Sequence, residues 1–364
     1  MSDQVRVGVV GTSRYADFSH LPGVKSHPRA QLAAICGRNR DRADEMAAKY
    51  EIPQVFTDYR EMIAKGSLDA LVVATPDDLH YPITMAALDA GLHVLCEKPL
   101  ALNASQAREM LQKAEEAGVV HMPFFTYRWV PHYRYLKQLV QEGYIGRCFH
   151  CHIRCVAGYG RRGQYLWRFD RSHCNGTLGD LGSHMVDLAR WYVGDVARVS
   201  AHLGVYVDRP GPEGQPLDPA NDAAVLLLEF ENGAQGMIQM SAVAHVADRA
   251  QEQHIVLHGE GGTLEADLSG SGGVIHGARH DEQRFQTLPV PDDLWGDVDR
   301  TDFRSSLLSG VFLKQSVADR LFIDAILEGR QVSPSFYDGW KAQEVIDAAI
   351  ESHEKGAWVS LKRE

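Results

Sequence analysis

Asp180 and His184 stand four residues apart in Gly176-Thr177-Leu178-Gly179-Asp180-Leu181-Gly182-Ser183-His184-Met185-Val186-Asp187. If a helix begins near Asp180, the two share one face a turn apart, and Met185, Leu188 and Ala189 turn toward a core. A carboxylate so placed can orient an imidazole and stabilise its charge, which suits moving a proton to or from an alcohol oxygen near pH 7. The same spacing also fits an N-capping aspartate beside a satisfied surface histidine. A second group comprises Thr75-Pro76-Asp77-Asp78-Leu79-His80 and Glu97-Lys98-Pro99. Each follows a short apolar run, the place where open α/β sheets hold their ligands.

A third group opens the chain. Val5–Val10 runs into Gly11-Thr12-Ser13-Arg14-Tyr15-Ala16, a G-x-S-x-x-A variant of the dinucleotide fingerprint. Gly11 permits the tight turn and Ala16 the close packing of helix on strand. Ser13 replaces the glycine that lets backbone approach a pyrophosphate, and its hydroxyl and amide can themselves donate to phosphate. The second strand ends Cys36-Gly37-Arg38-Asn39-Arg40, with no acid before Asp41. A ribose-reading carboxylate is therefore missing, and Arg38 can pair with a 2′-phosphate or stack on adenine. NADP(H) is expected, with NAD(H) the alternative. Arg38 and Arg40 as solvated helix-start residues would be the plain account.

These groups need elements to position them. The first 125 residues alternate short apolar runs (Val5–Val10, Gln31–Cys36, Ala70–Ala74, His93–Cys96, Val119–Phe124) with amphipathic stretches (Arg40–Tyr50, Tyr59–Lys65, Pro82–Ala90, Ser105–Ala117). That is the signature of βαβ units around a parallel sheet. Beyond about Pro123, strand-like segments follow one another with short turns: Arg147–Val156, Arg198–Val207, Ala223–Glu229, Gln235–Ala242, His254–His258 and Gly262–Asp267. A helix over Leu181–Tyr192 interrupts them, and helices over Ser316–Leu327 and Tyr337–Glu354 close the chain. The fold expected is α/β plus α+β. A doubly wound parallel Rossmann sheet occupies residues 1–123, and a domain with an open, mainly antiparallel sheet and helices occupies 124–364. Asp208–Asn221 reads as a Pro/Gly-rich loop and Asp267–Gly310 as a long, poorly periodic segment.

The Gly11 fingerprint, the T-P-x-x-x-H segment ending at His80, Glu97-Lys98-Pro99 and the G-x-x-x-D-x-x-x-H segment ending at His184 together resemble the Gfo/Idh/MocA family, the glucose-fructose oxidoreductase and inositol dehydrogenase relatives. The resemblance spans nearly the whole chain. It implies a nicotinamide-dependent oxidoreductase acting on a hydroxyl or carbonyl carbon of a sugar, polyol or related small molecule. It also implies a site at the seam between domains, where Lys98, Asp180 and His184 converge on the substrate oxygen. His184 would take the proton, Lys98 would bind the oxygen, and Asp180 would position both, with Lys98 as base the variant mechanism. The expected cofactor contacts are Gly11, Thr12, Ser13, Arg14, Tyr15, Cys36, Arg38, Asn39, Thr75, Pro76, His80, Glu97 and Lys98. The expected substrate contacts are Lys98, Tyr127, Arg128, Trp167, Asp180 and His184. Tyr127-Arg128-Trp129 resembles the family's aromatic-Arg segment, and Trp167 belongs to a polar-aromatic cluster with Arg161, Arg162, Tyr165 and Arg168. Some relatives oxidise and re-reduce a sugar with held cofactor, so glycoside hydrolysis or sugar exchange is one alternative. A non-catalytic NADP-binding regulator is the other.

Composition narrows the partners. The chain has 364 residues, and 37 Lys+Arg against 48 Asp+Glu leave a net charge of −11. A diffuse negative field repels nucleic acid and anionic membrane surfaces, so any anionic ligand must be held by local cations or a helix start. No run reaches the ~20 apolar residues of a membrane span, and Val5–Gly11 is too short for a leader. Six cysteines in this length form no disulfide framework, so a cytoplasmic, reducing location is expected. Cys148-Phe149-His150-Cys151-His152 has C-x-x-C spacing, but alternation along a strand splits these side chains between two faces, and no metal site is expected. Alternate residues of Ala223–Phe230 and Met237–Ala242 form an apolar sheet face, and relatives typically pair through such a face. A homodimer or homotetramer is expected.

Overall fold

In the computed structural model, which describes residues 4–361, two compact units divide the chain. The first comprises residues 4–126 with Ser305–Trp340, and the second comprises Tyr127–Arg304 with residues 341–361.

The first unit holds a wholly parallel sheet of β1 (Val5–Val10), β2 (Ala30–Cys36), β3 (Gln54–Phe56), β4 (Ala70–Val73), β5 (His93–Cys96) and β6 (His121–Pro123), in the order β3-β2-β1-β4-β5-β6. The order in which strands are added reverses between β1 and β4, which creates the crevice that doubly wound sheets use for ligands. Strands such as Ala70-Leu71-Val72-Val73 are buried throughout because helices cover both faces. The sequence sets the helix boundaries by side-chain caps. Asn39 accepts from the Arg42 amide to start α2 (Arg40–Tyr50), following the short α1 (Leu21–Lys25). Asp58 starts α3 (Tyr59–Lys65), and Asn103 starts α5 (Ala104–Ala117) after α4 (His80–Asp89).

The expected boundary at 123/124 lies at 126/127, and the tail corrects the expected division further. Ser305–Trp340 returns to the nucleotide unit. Its helix Ala318–Glu328 buries Ala318, Phe322, Ile323 and Ala325, and packs on α1, β1 and β5. Apolar periodicity predicts that helix but carries no information about which sheet it covers.

The second unit is built on a nine-stranded sheet of β7 (Cys148–Ala157), β8 (Val196–Gly204), β9 (Ala223–Phe230), β10 (Gln235–Ser241), β11 (Gln251–Gly259), β12 (Gly262–Ser269), β13 (Gly272–Arg279), β14 (Gln286–Thr287) and β15 (Val359–Ser360). Their order is β14-β13-β12-β11-β7-β10-β9-β8-β15. All pairings are antiparallel except β10 with β7. One face is covered by α6 (Pro131–Gln141) and α7 (Ser183–Val193). The aperiodic reading of Asp267–Gly310 is corrected by β13, which pairs with β12 over its whole length despite Gly272, Gly273 and Gly277. Glycine weakens a strand's own preference, and the neighbouring strand supplies the order. The Pro/Gly-rich segment before β9 is a loop, anchored by the buried pair Arg209–Asp222 at 3.1 Å. No helix among the described residues is long and apolar enough to cross a membrane.

Candidate active site

The carboxyl ends of the first unit's strands open on a cleft of about 930 Å³. Gly11, Thr12 and Ser13 line it after β1, Cys36, Gly37, Arg38 and Asn39 after β2, and Ala74, Thr75 and Pro76 after β4. Gly11 sits at φ 125°, and a Cβ there would stand 2.2 Å from the Ala74 carbonyl oxygen, so only glycine lets β1 end against β4. The Ser13 hydroxyl accepts from the Ala16 amide at 3.1 Å, capping the turn that follows. Cys36 is buried, and burial, followed by the Asp58 charge, pushes its thiol up to about 11, so it is a neutral wall. Arg38 is exposed and, among the described residues, has no hydrogen-bond or ion-pair partner, whereas Arg40 is held by Asp44 and Arg42 by Asp17 and Glu45. A crevice at the sheet's switch point, a glycine-only turn and an uncommitted cation fit a dinucleotide carrying phosphate.

Sequence reasoning missed the third wall. Thr57, Asp58, Tyr59 and Arg60, after β3, also line the cleft. Asp58 thus places a carboxylate in the cleft, and one of its oxygens caps α3 at 2.8 Å from the Arg60 amide. The capping pattern Asp-x-x-Glu at 58–61 is visible in sequence, but β3 is only three residues long and left no periodic signal.

Arg14 and Tyr15 lie outside these walls. Arg14 is exposed, and the Tyr15 ring packs edge-on against Phe18, His20 and Phe124. His80 is also outside. It is fully buried, with Nδ1 at 2.7 Å from the Pro99 carbonyl and Nε2 at 3.0 Å from that of Thr75. Burial lowers its pKa against the pull of those two carbonyls, and a neutral ring donates to one of them. His80 therefore fastens the loop after β4 to the turn after β5. That turn carries Glu97 and Lys98, both half-buried. One Glu97 oxygen accepts from the Lys98 amide at 3.1 Å, and the other lies 3.0 Å from His20 Nε2.

In the second unit, Asp180 sits in a π-helical turn, Leu178–Gly182, that leads into α7. Such turns recur at functional sites because they push a side chain out of the regular spiral. Asn221 holds this one, its carbonyl accepting from the Thr177 amide and its side-chain oxygen from the Leu178 amide. Met185, Leu188 and Ala189 face the core as expected. The Asp180 carboxylate accepts from the Tyr159 hydroxyl at 2.6 Å and pairs with Arg168 at 3.5 Å. The Arg168 guanidinium in turn lies over the Trp167 ring at 4.4 Å. His184, 6% exposed, stacks on Tyr127 with ring centroids 4.3 Å apart, and Gln251 donates to the Tyr127 hydroxyl at 2.8 Å. Burial raises the Tyr127 phenol above its ordinary value, so it stays protonated.

The structure thus brings Asp180, Trp167 and Arg168 together and sets Tyr127 on His184. It adds Tyr159 and Gln251, which no spacing rule marks because β7 and β11 deliver them from distant sequence. Arg128 donates to Asp187 by two bonds, of 2.8 and 2.6 Å, in a pair 5% and 1% exposed. A fork buried against a carboxylate braces α7. On β7, Cys151 and Cys155 are buried while His150, His152 and Arg154 are exposed, and all six cysteines are free thiols.

Residues 5–125 match the family described as "Oxidoreductase family, NAD-binding Rossmann fold", and residues 133–265 match the Gfo/Idh/MocA C-terminal domain. The chain is 29% identical to levoglucosan dehydrogenase of Pseudarthrobacter phenanthrenivorans, over 90% of this chain and 88% of that protein. It is 30% identical to myo-inositol 2-dehydrogenase of Thermotoga maritima, over 72% and 75%. A solved levoglucosan dehydrogenase in complex with NADH and levoglucosan superposes with a TM-score of 0.88 at 26% identity, covering 99% of this chain and 100% of that one. The chain therefore belongs to the Gfo/Idh/MocA family of oxidoreductases, and its first unit is that family's nicotinamide-cofactor-binding Rossmann fold.

Proposed function

We propose that this protein is an NADP(H)-preferring dehydrogenase that interconverts a hydroxyl and a carbonyl on a sugar or polyol. The observation that carries this reading is the cluster in the second unit. An Asp180 carboxylate is held by Tyr159 and Arg168 in a π turn, followed by a buried, Tyr127-stacked His184. Aromatic faces with a few placed polar groups suit polyhydroxyl compounds, and the names of the levoglucosan and myo-inositol relatives support the same class.

Gly11, Thr12 and Ser13 would hold the pyrophosphate, with Arg38 and Asn39 at the adenine ribose, where Arg38 pairs with the 2′-phosphate. When bound, the nicotinamide supplies the hydride acceptor or donor. His184 takes the hydroxyl proton during oxidation, and Asp180 sets its orientation and field. Lys98 binds the substrate oxygen and favours its deprotonated form. A screen of NADP⁺ and NAD⁺ reduction across aldoses, inositols, sugar acids and diols tests the reading. Net reduced cofactor with one of these classes is expected, and glycoside cleavage or sugar exchange without net reduction contradicts it. Lys98→Met should lower kcat by roughly 1,000-fold or more while cofactor affinity stays within about threefold. Undiminished turnover removes Lys98 from the mechanism.

The chain is further assigned to a homodimer or homotetramer that pairs through the outer face of the second unit's sheet, where Val225, Leu227 and Met237 are exposed. Six free thiols support a cytoplasmic, reducing setting.

A further inference from the structure

His20 is fully buried at the end of the π turn that follows the nucleotide loop. Its Nδ1 lies 2.8 Å from Asp319 on the tail helix Ala318–Glu328, and its Nε2 lies 3.0 Å from Glu97. Asp319 is 2% exposed and Glu97 13%. The Phe124 ring covers the imidazole at 4.3 Å. At Gly23 of α1 a Cβ would stand 2.6 Å from an Asp319 oxygen, so the tail helix sits as close as backbone allows.

A carboxylate stands at each ring nitrogen, and both nitrogens donate only from an imidazolium; burial raises Asp319, and the His20 charge pulls it back down. Burial opposes that charge, but Asp319 and then Glu97 outweigh it and push His20 up to about 10, so it is an imidazolium at neutral pH. The turn is thereby held on both sides. His20 grips the Glu97 side chain, Glu97 accepts from the Lys98 amide, and His80 lies against the Pro99 carbonyl.

We infer that His20 is a positioning residue for the reaction, which through Glu97 fixes the backbone of Lys98 and offsets the negative charge beside it. The inference rests on the assignment of Lys98 to the substrate oxygen. Removing the imidazolium takes the partner from one Glu97 oxygen, so the carboxylate that accepts from the Lys98 amide is no longer fixed. The charged and titratable groups facing His20 are Asp319 and Glu97, with the Tyr15 ring at 5.8 Å, and His80 lies within charge range of Glu97 and Lys98.

The test compares wild type, His20→Gln, Asp319→Asn, Lys98→Met and the His20→Gln/Lys98→Met double variant by kcat, KM, cofactor affinity and thermal unfolding. For His20→Gln we expect kcat to fall about 10- to 100-fold, the loss typical of a misplaced catalytic group, with NADPH Kd within about threefold. The double variant should turn over within about threefold of Lys98→Met, because His20 acts through Lys98. Asp319→Asn is nearly isosteric and loosens the hold on the imidazole without removing it, so it lowers kcat by about 3- to 10-fold and serves if His20→Gln does not fold. A kcat within about twofold of wild type in the folded variants, or a His20→Gln loss that persists undiminished in the Lys98→Met background, overturns the inference. Turnover that survives Lys98→Met is a different failure, that of the Lys98 assignment itself.

Discussion

Arg38 and Arg128 show how one side-chain type acquires opposite duties. Arg128 is enclosed with Asp187 and braces a helix, whereas Arg38 stands exposed in the cleft without a partner among the described residues. An uncommitted guanidinium in an acidic protein keeps its full capacity for a phosphate, while a paired one does not. Replacing Arg38 by Ala should raise the Kd for NADPH by about 10- to 100-fold, the worth of one or two charge-assisted hydrogen bonds, and change that for NADH by less than about threefold. Fluorescence titration of both cofactors checks this. An equal effect on the two would mean that Arg38 does not read the 2′-phosphate. Asp58 makes this test sharper, since it places a carboxylate in the same cleft. Arg38 was legible in the sequence because it follows a strand at the fingerprint's usual spacing. Asp58 was not, because a three-residue strand brings it there.

At the scale of elements, β6 illustrates how tertiary contacts set a titration. His121 is 4% exposed, and its Nδ1 accepts from the Phe336 amide at the start of the last helix at 3.1 Å. Burial holds its pKa down at about 4, so the folded ring is neutral. A histidine depressed on folding contributes its stability fully above its unfolded value near 6.5 and loses it as pH falls through 4. Unfolding free energy should therefore drop by about 3 kcal/mol between those limits on account of this residue, with buried His80 adding in the same direction. Denaturant titrations across that range, with His121→Asn as the comparison, check the claim. Identical pH slopes for the two proteins would contradict it. The π turn bearing Asp180 is a second case. The four-residue spacing to His184 predicts a shared face, but the widened turn and its Asn221 support depend on a loop some forty residues later.

For the whole molecule, the question is which surfaces remain unaccounted for. The outer face of the second unit's sheet carries Leu227, 46% exposed, directly opposite Met237 in the register of β9 and β10, with Val225 two residues along. Light scattering should find a dimer or tetramer, and Leu227→Asp should yield a smaller species while the unit stays folded. A wild-type monomer contradicts the assignment. Sequence alternation predicted this face because a strand's period of two needs no knowledge of its neighbours. Which alternate residues point outward followed from the sheet, where Ala224, Leu226 and Leu228 turn to the core.

The chain's own residues determined the order of strands and helices in the nucleotide half, the Gly11 turn, the Arg38 position and the motifs around Lys98, Asp180 and His184. These depend on local periodicity, turn chemistry and short spacings, all carried within about twenty residues. Tertiary structure alone decided that Ser305–Trp340 rejoins the nucleotide unit, that Asp319 meets His20 across nearly three hundred residues, and that Tyr159 donates to Asp180. Hydrophobic burial is non-directional, so an amphipathic helix states that it will be covered without stating by what. The partner of a buried charge is chosen only when packing brings the two together, and there the Glu97-Lys98 turn acquires its imidazolium.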